Sequence, residues 1–209
     1  GRAADRIVST TDGSRVVFDK TKPVLTLLGN PAVVHDVLEA YADLGATASD
    51  NFADDAVMTG RITVSGEVDA DRLGIYVLTY HVKDFAGNAA ETVARTVYVQ
   101  DRTPPVIVLL GDGTVTLEQG QAYVEAGVEA HDNYDGDLTA FVSVSGDVDT
   151  GRPGTYKLTY TVTDSSGNQA RRERIILVVP AADPGGGSGG DGEGSDEGGG
   201  EGSGDGDGD

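Results

Sequence analysis

The chain states one pattern twice, and that repeat limits the folds open to it more than any other feature. Residues 23 to 88 run through Pro23-Val-Leu-Thr-Leu-Leu-Gly29, Tyr41-Ala-Asp-Leu-Gly45, Ser49-Asp50-Asn51-Phe52, Val64-Ser-Gly66, Gly74-Ile-Tyr-Val-Leu-Thr-Tyr80 and Asp84-Phe-Ala-Gly87-Asn88. The second copy reads Pro105-Val-Ile-Val-Leu-Leu-Gly111, Tyr123-Val-Glu-Ala-Gly127, His131-Asp132-Asn133-Tyr134, Val144-Ser-Gly146, Gly154-Thr-Tyr-Lys-Leu-Thr-Tyr160 and Asp164-Ser-Ser-Gly167-Asn168. The offset is 82 before the acidic loop and 80 after it, which places a two-residue loss between Asp137 and Val144. Solenoid units are shorter, roughly 20 to 50 residues, so this period marks tandem whole domains.

Each unit has about 80 residues, a marginal size for one hydrophobic core. The 209-residue chain has no cysteine, so no disulfide offsets that marginality. Bound metal is the obvious substitute. The net charge is −20, of which residues 184 to 209 carry eight acids and no base, leaving −12 for the rest. Such a surface repels nucleic acid and anionic lipid and favours cations. No apolar run approaches the roughly 20 residues that span a bilayer, and no secretory leader is legible.

Short strands are expected throughout. Val106-Ile-Val-Leu-Leu110 is an apolar run bounded by Pro-Pro and Gly, and Thr114-Val-Thr-Leu-Glu118 alternates at period two. Tyr156, Leu158, Tyr160 and Val162 share one face of a longer strand, and Arg174-Ile-Ile-Leu-Val-Val179 closes the unit. Turn residues every 8 to 12 positions or so point to an all-β sandwich. No stretch shows helical periodicity with caps.

The order Pro-Val-Ile-x-Leu-x-Gly, Tyr-x-x-x-Gly-x-x-Ala-x-Asp-Asn and Gly-x-Tyr-x-Leu-Thr-Tyr-x-Val-x-Asp-x-x-Gly-Asn resembles the bacterial Ig-like modules of secreted and cell-surface proteins. The resemblance covers roughly residues 20 to 183. It implies two tandem immunoglobulin-like β-sandwiches, 20–101 and 102–183; outside it, the residues themselves point to an N-terminal hairpin segment, 1–19, and an acidic Gly-rich flexible tail, 184–209. The resemblance also implies a secreted or cell-surface location and a role as spacer, stalk or adhesive repeat. Similar modules are appended to secreted toxins and hydrolases. Fold alone does not fix activity.

Residues 1 to 19 read as strand, turn, strand: Arg6-Ile-Val-Ser9, Thr11-Asp-Gly13 and Arg15-Val-Val-Phe-Asp19. They are expected to be either the last hairpin of a further module or a strand that pairs with a neighbouring subunit. The tail from Gly185 to Asp209 has no apolar residue and cannot offset its ordering entropy by burial.

The acidic loops carry the chemistry. Asp132-Asn133-Tyr134-Asp135-Gly136-Asp137 places three carboxylates and an amide in six residues. Sandwich topology brings the loop of Asp164 to the same end, and the linker residue Asp101 should reach it too. Calcium takes six to eight oxygens of these kinds. The loop is not an EF-hand, because the twelfth position from Asp132 is Ser143 where a Glu is needed. Module one offers Asp19, Asp50, Asn51, Asp55 and Asp84, with Ala53 in place of Asp135. The competing explanation is that these acids only form turns, as Asp, Asn and Gly do elsewhere.

Enzymatic signatures are absent from the sequence. The three histidines, His35, His81 and His131, form no zinc motif, and there is no Gly-x-Ser-x-Gly elbow or phosphate loop. Three non-enzymatic readings remain: a calcium-stabilised stalk, adhesin segment or fibre; a filament subunit joined to identical subunits by strand addition; and a glycan- or protein-binding accessory module. Aromatic poverty, four Phe and eight Tyr, favours the first, with Phe52 and Tyr134 the candidate exposed exceptions.

Overall fold

The structure, a computed structural model, describes residues 6–9, 11–12 and 15–182. The expected flexible tail therefore lies outside the described residues. Strands β1 (Arg6–Ser9) and β2 (Arg15–Phe18) form an antiparallel hairpin, with Arg6 opposite Phe18. Among the described residues no helix is long and apolar enough to cross a membrane.

Module one contains β3 (Val24–Leu27), β4 (Ala32–Asp36), β5 (Ala46–Ser49), helix α1 (Asp55–Thr59), β6 (Thr63–Ser65), β7 (Gly74–His81) and β8 (Val93–Gln100). Its larger sheet runs β4-β8-β7-β6 and its smaller one β3-β5. Module two contains β9 (Val106–Leu109), β10 (Thr114–Glu118), β11 (Val128–Asp132), β12 (Gly136–Asp137), a 3-10 turn (Thr139–Phe141), β13 (Ser143–Ser145), β14 (Gly154–Thr163) and β15 (Gln169–Val179). Its sheets run β10-β15-β14-β13 and β12-β11-β9. The all-β, two-sandwich expectation holds.

In both modules the first strand divides between the two sheets. After β3 and β9 the chain turns at Gly29 and Gly111, with φ of 80° and 73°. It then joins the opposite sheet as β4 or β10, parallel to the closing strand. The repeated Val-Ser-Gly has a steric cause. At Gly66 and Gly146 a Cβ would sit 2.0 and 2.2 Å from the carbonyl oxygens of Val77 and Lys157, so a side chain cannot fit there.

The sequence alignment of the copies needs one correction. Thr59 Oγ1 accepts from Ala48 N (3.0 Å), and Thr139 Oγ1 accepts from Ala130 N (3.0 Å). Buried Met58 and Leu138 precede these threonines. The offset is therefore already 80 at Leu138, and the loss lies between Asp132 and Leu138 rather than after Asp137. Module one fills this stretch with a short helix that the sequence did not announce. Asp54 caps it by accepting from Ala56 N (2.9 Å), a single capped turn too short to show periodicity.

Two cores result. Module two packs Ile107, Leu117, Ala130, Leu158, Tyr160, Val162, Ile176 and Val178. Module one packs Leu25, Ala48, Met58, Leu78, Tyr80 and Val82, with a second cluster of Val37, Val97 and Val99 at its far end. Each core also holds an arginine. The inward phase of β8 is Arg95, Val97, Val99, and that of β15 is Arg174, Ile176, Val178. Both arginines are 1% exposed.

A buried guanidinium must be paired. Arg95 pairs with Asp43 and donates to the carbonyls of Leu28, Asn30 and Gly45. Arg174 pairs with Glu125 and donates to those of Leu110 and Gly127. Tyr80 donates to Asp43 (2.5 Å), and burial with that carboxylate pushes its hydroxyl pKa upward. Each arginine thereby clips the Tyr-x-x-x-Gly segment across the sandwich. Arg174→Ala is expected to cost module two about 3 kcal/mol, the scale for breaking a buried pair. Arg174→Lys should not rescue it, because lysine lacks the planar fork. Urea denaturation measures both, and a near-neutral Arg174→Ala would contradict the clip.

Candidate metal centre

Asp101, Asp132 and Asp164 each offer a carboxylate oxygen within 4.8 Å of the others. They are 6%, 9% and 7% exposed, so all three are more than nine-tenths buried. Three separate pieces of chain supply them: the linker after β8, the end of β11, and the turn between β14 and β15.

Local hydrogen bonds position each carboxylate. Asp101 Oδ1 accepts from Thr103 N (3.0 Å). Asp132 Oδ1 accepts from Tyr134 N (2.8 Å) and Asp135 N (2.9 Å). Asp164 Oδ1 accepts from Ser166 N (2.9 Å) and Asn168 N (2.7 Å), and its Oδ2 from Asn168 Nδ2 (2.8 Å). Asn168 Nδ2 also donates to the Asp101 carbonyl (3.2 Å), tying the turn to the linker.

These bonds leave two oxygens over. Asp101 Oδ2 and Asp132 Oδ2 are buried and have no hydrogen-bond partner. Turn formation explains the Oδ1 atoms and leaves these two without a function. An orphaned, buried carboxylate oxygen is costly unless a cation or proton meets it. Burial pushes the Asp101 pKa upward; the Thr103 amide partly opposes this, and the charges of Asp132, Asp164 and Asp135 push it further up.

Module one repeats the arrangement with Asp19, Asp50 and Asp84. Thr21 N donates to Asp19 (3.0 Å), Phe52 N to Asp50 (3.0 Å), and Asn88 to both Asp84 oxygens and to the Asp19 carbonyl. Asp50 Oδ1 is likewise buried without a partner. The site is looser: Asp84 is buried, whereas Asp19 and Asp50 are half-buried.

Of the other expected carboxylate ligands, Asp55, Asp135 and Asp137 fall outside these clusters. Asp137 is exposed and accepts from Thr139 N (2.9 Å), and Thr139 holds its carboxyl below the usual range. Asp55 is exposed in the first turn of α1. The relocated two-residue loss is why these two are not equivalents. Asn51 and Asn133 flank the clusters in the chain and are exposed. Asp135 sits beside the triad as a brace, accepting from Ser165 N (2.6 Å) and Ser165 Oγ (2.7 Å). Module one has Ala53 and Phe85 at those positions, and Arg61 stacks on Phe85 at 4.4 Å instead. His81 bonds Ser65 (3.0 Å), a structural role. Asn88 and Asn168, which tie each turn to the preceding linker, are not among the expected site residues, although the doubled Gly-Asn is a visible signal of them.

The family model described as "Bacterial surface protein, Ig-like domain" matches residues 25–99 and 107–178. The pesticidal crystal protein Cry22Aa of Bacillus thuringiensis is 29% identical over 148 residues, covering 68% of this chain and 19% of that protein. An uncharacterized 81.3 kDa protein of Acholeplasma phage L2 is 32% identical over 127 residues, covering 56% of this chain and 16% of its own length. The chain thus spans less than a fifth of these curated relatives. A lipoprotein structure from Bacteroides thetaiotaomicron is 33% identical, covering 36% of this chain and 38% of its own, with a TM-score of 0.34.

A raised carboxyl pKa means the native state binds its proton more tightly than the unfolded chain does. For Asp101, metal-free stability should fall as pH rises from the ordinary carboxylate value through the raised one, and stay lowered at neutral pH. Asp101→Asn keeps an acceptor for Thr103 and removes one charge. It should therefore raise the metal-free urea midpoint at pH 7 and flatten that slope. A lowered midpoint would mean the charge is not opposed.

Proposed function

The chain belongs to the bacterial surface protein Ig-like domain family, and from that premise we propose that it is a non-catalytic, calcium-stabilised pair of modules serving as a spacer within a larger secreted or surface-attached protein. One observation carries the calcium part. Three carboxylates are more than nine-tenths buried at one point, and two of their oxygens have no partner. A hard cation with a preference for oxygen is the chemistry such a donor set suits. Asp101, Asp132 and Asp164 would be its carboxylate ligands in module two, and Asp19, Asp50 and Asp84 those of a second, more exposed site.

The spacer part is supported by what each element does. The tyrosines and arginines that repeat between copies serve packing and the clip across each sandwich. The doubled acids serve loop geometry at one end. The small share of the curated relatives that this chain spans fits a part of something longer.

Calcium that binds only the native state stabilises it by about 2.7 kcal/mol at a hundredfold excess over Kd. For a domain of this size each kcal/mol moves Tm by roughly 4–8 °C. Module two should therefore melt higher in calcium than in EGTA. Asp132→Ala should remove the shift, whereas Asp137→Ala should retain it. Equal melting in calcium and chelator would overturn the calcium reading. Assays on glycans, peptides and esters should show no turnover; activity lost with Asp132 or Asp164 would overturn the non-catalytic one.

A further inference from the structure

The triad lies where module one hands over to module two, and its neighbours grip both. Gln100, the last residue of β8, accepts from Val37 N through its carbonyl (2.9 Å). Asp101 is a member of the triad. Arg102 donates through Nε and Nη2 to the two oxygens of Asp36, at 2.6 and 2.8 Å. The end of β8 and the two linker residues after it are thus held in turn by module one, by the triad and by module one again. The Arg102–Asp36 pair is solvent-exposed, and such pairs contribute little by themselves.

The second grip comes from module two. Tyr134 packs against the cluster of Val37, Val97 and Val99 at the far end of module one. Those valines are 3%, 0% and 2% exposed, so the ring covers part of an apolar surface. The backbone that aims Tyr134 is fastened to the triad: Asp132 Oδ1 accepts from both Tyr134 N and Asp135 N. Asp135 in turn holds Ser165, next to Asp164. The matching aromatic of module one, Phe52, is 56% exposed. Tyr134 therefore differs from its counterpart by having a module end to cover.

We propose that a cation held by Asp101, Asp132 and Asp164 is the joint between the modules, locking Tyr134 onto Val37, Val97 and Val99 and so fixing the inter-module angle. This rests on the calcium reading above. An occupied triad draws the linker carboxylate and the Tyr134 loop to one point. An empty, charged triad repels, and the least constrained ways to relieve that are to swing the linker or lift the loop. Either motion unseats Tyr134, after which the exposed Arg102–Asp36 pair and the residues Pro104 and Pro105 are left to hold the angle.

The absence of cysteine permits a clean distance measurement in the full chain. Thr26→Cys on β3 and Glu129→Cys on β11 place nitroxide labels at exposed sites, one per module. Double electron–electron resonance should give one narrow distance peak in calcium and lose it in EGTA. Tyr134→Ala should lose the narrow peak even in calcium while calorimetry still shows calcium binding, and Tyr134→Phe should keep it. Calcium heat together with the same narrow peak in EGTA, or with a narrow peak in Tyr134→Ala, would overturn the joint while leaving the site intact. Absence of calcium heat in the doubly labelled chain would overturn both.

Discussion

Three carboxylates gathered at one buried end of a small sandwich repel one another unless something positive sits among them. Two like charges about 4 Å apart near a protein surface oppose each other by about 4 kcal/mol, a large fraction of what a small domain has to spare. Asp101, Asp132 and Asp164 are nonetheless held together by a fixed set of backbone amides and by Asn168. A fold that spends so many hydrogen bonds on bringing repulsive groups together makes physical sense when a cation converts the repulsion into attraction. The loop conformations, the linker path and the seating of Tyr134 all meet at that point.

The two modules show which parts of the arrangement are generic. Both copies keep the Gly turn between sheets, the Val-Ser-Gly close approach, the arginine clip and the Asp-Asp-Asp-Asn lattice. They differ in how the acidic loop is braced. Module two uses Asp135 on Ser165, whereas module one uses a capped helical turn and Arg61 stacked on Phe85. The brace with the carboxylate accompanies the more buried triad. The hydrophobic and clip positions thus define the sandwich, and the loop between Asp132 and Leu138, with its counterpart in module one, tunes the site.

Much of this was legible in the sequence because tandem copies compare themselves. The doubled Gly-x-Tyr-x-Leu-Thr-Tyr gave the central strand, and the doubled Asp-x-x-Gly-Asn gave the turn that carries Asp84 and Asp164. Asp19 and Asp101 followed from their equal spacing ahead of the prolines. Asp55 and Asp137 did not belong with them, because counting residues cannot see that Thr59 and Thr139 bond the same strand position. Arg95 and Arg174 escaped notice since a charged residue on an inward strand phase reads as an edge until its partner, Asp43 or Glu125, is placed some 50 residues away. Tyr134 could be flagged as unusual, but its apolar partner belongs to the other module and no local pattern reports it.

The most direct test is a crystal structure of the full chain grown in saturating calcium and phased so that calcium is identified by its anomalous signal. The account predicts a calcium peak coordinated by carboxylate oxygens of Asp101, Asp132 and Asp164 at about 2.3–2.6 Å. Carboxylates meeting only water, or one another through a shared proton, in the presence of saturating calcium would contradict it.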